Sequence, residues 1–332
     1  MSNAIKTLGR RLLRSRAASA VLRAIVSNPI QAALVTWMAR TGAGTDRSLR
    51  MGSLPLPVHY YSPVPDLDDL ERRDVWSRRS DLSGVDFRPE AQVAYLLELG
   101  RMYGLECGWP SEPTNDPTQF HTENMTFSFG CAAAAHCIIR ERKPRHLIEI
   151  GSGMSSIVFS AALELNEADG VQPAEYTVID PYPSSHLSTL PGTRPTVIPQ
   201  RVEVVDIDLF EQLERGDILF VDSGHVVRIG GDVNFLLLDV LPRLNPGVIV
   251  HFHDVGLPYE YPKVYATNPT FRVFWTEAYL LQAFLAFNSE FEVLLAMAYL
   301  TQEHRAAFRR AFPLYDPARH KATSGSFWIA RK

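Results

Sequence analysis

Acidic and histidine side chains directly follow two apolar runs in the second half of the chain. Asp222 and His225 follow the first run, and His253 and Asp254 follow the second. An acid with a histidine three residues later can supply a metal ligand and a general base, so we predict Asp222 and His225 as catalytic residues. Carboxylates and imidazoles also suit Mg²⁺ or another divalent cation, with Asp222, His253 and Asp254 as ligands. The alternative is that Asp222 caps a helix and His225 faces solvent.

A pair of glycines follows another apolar run, in the stretch LIEIGSGMSSIVFSAAL. Gly151 and Gly153 permit a turn close to a ligand, and the following helix presents free backbone N–H groups. A dinucleotide fingerprint would have its third glycine at Ser156, so that motif is incomplete. Glu149 would repel a pyrophosphate but can accept a hydrogen bond from a cationic ligand. We predict that Glu149, Gly151, Ser152 and Gly153, together with Asp222, bind a ligand with sulfonium and ammonium groups.

Two further acids follow later strand-like runs. Asp180 ends such a run in the stretch YTVIDPYP, where its carboxylate can accept both hydroxyls of a ribose. Its alternative role is to cap the turn at Pro181. Asp206 follows the run at 202–205 and is a candidate acceptor for an adenine amino group, although it could equally cap the next helix.

These residues need a framework that brings them to one edge of a sheet. Short apolar runs predict strands at 146–150, 176–179, 202–205, 217–221, 248–252, 291–295 and 326–330. Helical spacing predicts helices at 155–166, 209–213, 235–241 and 275–287. Continuous apolar runs are typical of parallel strands covered on both faces, and strands that alternate with helices indicate a doubly wound α/β sheet. Ligands of such sheets bind at the carboxyl ends of the strands.

Four motifs in this order resemble the class I S-adenosylmethionine-dependent methyltransferases. They are EIGSG at 149–153, VIDPYP at 178–183, DILFVDSGH at 217–225 and LPRLNPGVIVHFHD at 241–254. The resemblance covers residues 120–331 and implies a Rossmann-like, seven-stranded, mostly parallel sheet with an antiparallel last strand. It also implies S-adenosylmethionine as cofactor, with Glu149 and the glycines around its methionine part and Asp180 on its ribose.

The narrower resemblance is to bacterial O-methyltransferases of sugars, glycolipids or secondary metabolites. Metal-dependent members of that family carry the acid and the basic residue that Asp222 and His225 match, whereas the neighbours of Asp254 depart from the pattern. The implied reaction is methyl transfer to a hydroxyl of a sugar, a phenol or a lipid-linked glycan. A metal-dependent hydroxylase or hydrolase, and a cofactor-binding protein without turnover, are the alternatives.

The acceptor pocket is predicted from residues outside the four motifs. Its candidates are Glu123, Asn124 and Phe127 before the first strand, and Tyr259 and Tyr261 after the fifth. The tyrosines could stack on a sugar or phenolic ring, or simply pack in the core.

Charge and composition indicate the role of the N-terminal segment and the cellular compartment. Residues 1–50 hold nine Lys or Arg against one Asp, within a 332-residue chain of net charge −4. Residues 1–25 read as a basic amphipathic helix that either packs on the protein or touches an anionic membrane surface. Three cysteines without a CxxC pair favour a reducing cytoplasm, and we expect no nucleic-acid partner.

Three segments follow from these patterns. They are a basic helical extension at 1–50, a linker and helical cap region at 51–119, and an S-adenosylmethionine-binding domain at 120–332.

Overall fold

The structure, a computed structural model, describes residues 29–320 and 324–332, and the chain divides into two compact units with the boundary after Asp74. The first unit contains α1 (Pro29–Thr41), α2 (Thr45–Arg50) and α3 (Leu67–Arg72). The basic run at 1–25, predicted to touch the protein body or a membrane, lies outside the described residues. No helix in the described part of the chain combines the length and the hydrophobicity needed to cross a membrane.

The second unit is built around one seven-stranded sheet. Its strands are β1 (His146–Ile150), β2 (Glu175–Ile179), β3 (Thr196–Ile198), β4 (Ile218–Val221), β5 (Ile249–Phe252), β6 (Phe291–Ala296) and β7 (Phe327–Arg331). They lie in the order β3-β2-β1-β4-β5-β7-β6, and β7 runs antiparallel to both of its neighbours. This order confirms the predicted Rossmann-like, mostly parallel sheet with an antiparallel last strand.

Helices cover both faces of the sheet, as the continuous apolar strands require. They are α4 (Pro89–Tyr103), α5 (Phe129–Arg142), α6 (Met154–Ala168), α7 (Asp208–Glu211), α8 (Asp232–Asn234), α9 (Lys263–Thr267), α10 (Glu277–Leu285), α11 (Met297–Glu303) and α12 (Arg305–Ala311). The segment predicted as a helix at 235–241 is a π-helical turn, Phe235–Val240, that continues α8 into a 3₁₀ turn, Leu241–Arg243. Further 3₁₀ turns lie at Val75–Ser77, Gly104–Glu106, Ser185–Thr189 and Val202–Val204.

Helix α5 anchors the loop that precedes β1. Every residue from Phe129 to Arg140 is buried, and the four alanines at 132–135 allow α4 and α6 to pack closely against the helix. The side chain of Ser128 caps the helix by accepting a hydrogen bond from the Cys131 N–H at 3.4 Å. The loop before α5 is thereby fixed against the carboxyl edge of the sheet.

The third strand lies where the sequence did not predict it. The predicted strand at 202–205 is largely the 3₁₀ turn Val202–Val204, and the strand is Thr196–Ile198. Prolines flank these three residues on both sides, and a proline is tolerated there because β3 is an edge strand. The end of β3 therefore comes several residues earlier than expected.

The ends of β1 and β4 meet at a glycine. Gly151 has a φ of +88°, and a Cβ atom built on it would lie 2.3 Å from the carbonyl oxygen of Asp222. Gly153 differs, because its φ of 178° is extended backbone and a Cβ there meets nothing within 4 Å. Of these two glycines, only Gly151 has a backbone conformation and a close contact that require a residue without a side chain.

We predict that Gly151→Ala lowers the free energy of unfolding by about 2 kcal/mol or more, because it adds both backbone strain and a steric clash. Gly153→Ala is the matched control, for which we expect a loss below about 1 kcal/mol. Urea denaturation followed by circular dichroism measures both. Equal losses in the two variants would contradict the contact between β1 and β4.

Candidate active site

A cavity of about 490 Å³ opens at the carboxyl ends of β1, β2 and β4. Four predicted ligand-binding residues line it, namely Gly151, Ser152, Asp180 and Asp222. Its wall also includes Arg201, Glu203, Arg228 and Asp232, which the sequence did not single out. We call it the glycine-loop cavity.

Asp180 is held at the end of β2 by short hydrogen bonds. The Ser152 hydroxyl donates to one carboxylate oxygen at 2.6 Å, and the Tyr182 N–H donates to the other at 2.7 Å. The Ser184 N–H donates in turn to the Ser152 hydroxyl at 2.9 Å. Asp180 thus caps its turn and lines the cavity at the same time, so the two roles considered for it are compatible.

Glu149 lies beneath the glycine loop and is fully buried. Its carboxylate accepts hydrogen bonds from the hydroxyls of Ser155, Ser156 and Tyr176. Burial raises the pKa of Glu149 to about 7, against the effect of these hydroxyls. Neither Glu149 nor Gly153 is among the residues that line the glycine-loop cavity, so their contact with a ligand stays a prediction.

Asp206 lies outside the glycine-loop cavity. It is exposed, and its carboxylate accepts a hydrogen bond from the Asp208 N–H at 3.2 Å, at the start of α7. This hydrogen bond closes a turn just before α7, and contact between Asp206 and an adenine stays a prediction. Because β3 ends earlier than predicted, the charged residues after it that line this cavity are Arg201 and Glu203.

A cluster of two acids and one histidine lies at the end of β4, with His225 and Glu277 buried and Asp222 partly exposed. His225 Nδ1 is 2.8 Å from Glu277 Oε2, and His225 Nε2 is 3.3 Å from Asp222 Oδ1. Burial alone would lower the pKa of His225, but bonds to Asp222 and Glu277 raise it to about 10. Burial alone would raise the pKa of Asp222, yet His253 and His225 hold it below its usual range. The histidine is therefore an imidazolium at neutral pH.

The same cluster fixes the first turn of α10. The His225 carbonyl accepts hydrogen bonds from the Thr276 and Glu277 N–H groups, at 2.9 and 3.1 Å. The Trp275 ring lies against the imidazole, with the ring centroids 4.5 Å apart. The loop after β4 and the start of α10 thus form one hydrogen-bonded unit.

A second cavity, of about 410 Å³, lies beside the end of β5. We call it the tyrosine cavity, and it is lined in part by Asn124, Thr126, Cys131, His253, Asp254, Tyr259, Glu260, Tyr261, Tyr265 and Gln302. Of the five residues predicted for the acceptor, Asn124, Tyr259 and Tyr261 line it. Glu123 is exposed elsewhere, and Phe127 is buried in the core against Phe220.

The polar groups of these three residues are already bonded within the protein. The Asn124 side chain bridges the His121 carbonyl and the Phe127 backbone, which shapes the loop before α5. The Tyr261 hydroxyl accepts a hydrogen bond from the Ala278 N–H, and the Tyr259 hydroxyl donates to Glu303, both at 2.9 Å. What these tyrosines offer to a ligand is therefore chiefly aromatic surface.

His253 lies between the two cavities. Its backbone N–H donates to the Val221 carbonyl at 2.8 Å, and its ring Nε2 is 2.9 Å from the Thr126 carbonyl. Burial alone would lower the pKa of His253, but the charge of Asp222 raises it to about 9. A carboxylate of the glycine-loop cavity is thus coupled to a cation in the wall of the tyrosine cavity.

Comparison with known proteins identifies the family of the segment that forms β1 to β5. A family model described as a methyltransferase domain matches residues 148–255, which include β1 to β5. The chain belongs to the class I methyltransferase family. An uncharacterized protein from Archaeoglobus fulgidus is 30% identical over 184 residues, which are 53% of this chain and 80% of that relative.

The solved structures that resemble this methyltransferase share less sequence with it than that relative does. The O-methyltransferase TomG from Streptomyces achromogenes, in complex with SAM, is 14% identical, with a TM-score of 0.39 over 75% of this chain and 92% of its own. The SAH-bound Podospora anserina methyltransferase PaMTH1 is 18% identical, with a TM-score of 0.34 over 74% and 88%.

The metal ligands predicted for this methyltransferase do not form one site. Asp222 lines the glycine-loop cavity, whereas Asp254 lines the tyrosine cavity. His253 Nε2 faces a carbonyl oxygen and so carries a proton, which leaves that nitrogen no lone pair for a metal. Among residues 29–320 and 324–332, no group of three or more His, Cys, Asp or Glu is placed to hold a metal ion. The predicted cation therefore finds no support here.

Glu277, the second acid of the cluster, was not predicted from the sequence. It lies 52 residues after His225, in the first turn of a segment that was correctly predicted as helical. An acid inside an otherwise apolar helix was the available signal. Nothing in the sequence indicated that this acid would reach the loop after β4.

We predict that Glu277→Gln lowers the pKa of His225 from about 10 toward the ordinary value of a histidine, because one carboxylate partner is lost. An NMR titration of the imidazole measures this change. The His225 ion pairs stabilise the wild type fully below about pH 6.5, and this stabilisation is lost as the pH rises through about 10. Glu303→Gln, which removes an acid outside the cluster, is the control. An unchanged titration in Glu277→Gln would contradict the assigned pairing.

Proposed function

We propose that the protein is an S-adenosylmethionine-dependent O-methyltransferase that acts on a hydroxyl of a sugar, a phenol or a lipid-linked glycan. The observation that carries the proposal is the pair of cavities on either side of the β4 and β5 ends. Asp222 lines the first cavity, and His253, which is coupled to it, lines the second. One cavity suits a cofactor and the other an acceptor, with charged groups between them.

The residues of the glycine-loop cavity fit the cofactor. Its volume lies within the range of about 300–1,000 Å³ that is usual for small-molecule sites. Asp180 would hold the ribose hydroxyls, Gly151 and Ser152 would border the methionine part, and the ionised Asp222 would face the positive charge. When bound, S-adenosylmethionine supplies a methyl group activated by its sulfonium.

His225 is the proposed base for the acceptor hydroxyl. Glu277 fixes the ring through Nδ1, and Nε2 lies 3.3 Å from Asp222, which lines the glycine-loop cavity. Nε2 accepts the hydroxyl proton when the ring is neutral. Because the pKa of the ring is about 10, the neutral form is scarce at neutral pH and increases as the pH rises.

The tyrosine cavity is the proposed acceptor site. Tyr259, Tyr261 and Tyr265 give it aromatic walls against which a sugar or phenolic ring can pack. Mg²⁺ has no place in the proposal, since the residues predicted to bind it are divided between two cavities.

Calorimetry with S-adenosylmethionine tests the cofactor assignment. We expect binding by the wild type and an affinity at least about tenfold weaker in Asp180→Asn, because hydrogen bonds to a charged group are lost. Asp206→Asn is the matched control, since that acid lies outside the cavity, and its affinity should equal that of the wild type. A wild type that does not bind S-adenosylmethionine would overturn the proposed function.

A label-transfer assay tests the base. Metabolite extracts incubated with cofactor labelled in the methyl group first supply an acceptor. With that acceptor, we expect kcat/KM to rise with pH toward about 10, and His225→Gln to lose that rise along with about 10²- to 10⁴-fold of the rate. Full turnover by His225→Gln would show that another group takes the proton.

A further inference from the structure

A third cavity, of about 650 Å³, adjoins α11 and α12 and carries a different charge. Its lining includes Arg305, Arg309, Arg319 and His320, together with Gln302 and Tyr315. No acidic side chain lines it within the described part of the chain. We call it the arginine cavity.

Two of its guanidinium groups carry charge that the fold does not neutralise. In residues 29–320 and 324–332, no carboxylate lies within ion-pair distance of Arg305 or Arg309, whereas Arg319 faces Asp316 at 3.6 Å. Both free guanidinium groups act on the Tyr315 hydroxyl, where they oppose the rise in its pKa that burial causes. Their charges therefore converge on one region of the cavity.

His320 adds a directed donor to these charges. It is more than nine-tenths buried and stacks on Phe129, with the ring centroids 4.6 Å apart. Its Nδ1 accepts a hydrogen bond from the Asp316 N–H at 2.9 Å, so the ring proton is on Nε2. That Nε2–H can donate to an acceptor oxygen of a ligand in the cavity.

The arginine cavity is next to the tyrosine cavity. Gln302, at the end of α11, lines both of them. One elongated ligand could therefore place a ring in the tyrosine cavity and a charged group in the arginine cavity.

We propose that the arginine cavity binds a diphosphate group of the methyl acceptor. This proposal rests on the proposed function and narrows its acceptor to a phosphorylated molecule, of which a diphosphate-linked sugar is the class that fits both cavities. Planar guanidinium groups match phosphate oxygens in bidentate pairs. Two unpaired guanidinium groups and the Nε2–H of His320 supply more donors than a single carboxylate would use.

Binding of inorganic pyrophosphate to the full chain, measured by calorimetry, tests the site. We expect Arg309→Gln to weaken binding at least about tenfold, because a charge-assisted pair is lost. Arg310→Gln is the matched control, as the neighbouring arginine of α12 does not line the cavity, and it should stay within about twofold of the wild type. No binding by the wild type, or equal losses in both variants, would overturn the proposal.

Competition in the label-transfer assay tests the link to the acceptor. We expect pyrophosphate to raise the KM for the acceptor and to leave the KM for S-adenosylmethionine unchanged. Inhibition that does not depend on the acceptor concentration would overturn the proposal. Cofactor calorimetry reports on the methyltransferase assignment separately, so loss of pyrophosphate binding with intact cofactor binding contradicts the diphosphate site alone.

Discussion

The ion cluster around His225 is the interaction on which the candidate site depends. One imidazolium is held between Asp222, at the end of β4, and Glu277, in the first turn of α10. Removing the histidine would leave two carboxylates close together in a poorly hydrated place, which is strongly unfavourable. The pairing also fixes α10, whose N-terminal Ala278 N–H bonds to Tyr261 in the tyrosine cavity. One ion cluster thus connects the walls of two cavities.

The strands were predictable where burial alone determines them. The runs that became β1, β4 and β5 are continuous and apolar, and the predicted bounds differ from those observed by one residue at most. The edge strand β3 was not found, because three residues between prolines carry little hydrophobic signal and depend on pairing with β2. Asp206 was predicted as the adenine acceptor because it follows the strand expected at 202–205, and it lies outside the glycine-loop cavity.

The site was predictable to the extent that topology determines it. Parallel strands bring their carboxyl ends to one edge, so Asp180 and Asp222 could be placed together from the order of the motifs alone. The charge states of His225 and His253 could not be predicted, since each depends on partners that are distant in sequence. His253, which was predicted as a metal ligand, instead places Nε2 against the Thr126 carbonyl, and the charge of Asp222 raises its pKa.

The three cavities also differ in charge in a way that orders their ligands. In the glycine-loop cavity, Arg201 pairs with Glu203, and Arg228 lies 3.5 Å from Asp232. Asp180 then remains without a guanidinium partner among the described residues, and the wall suits a cation. The arginine cavity has the opposite sign, and like charges repel. A cationic cofactor and an anionic acceptor would therefore each be disfavoured in the other's cavity, with the aromatic tyrosine cavity between them.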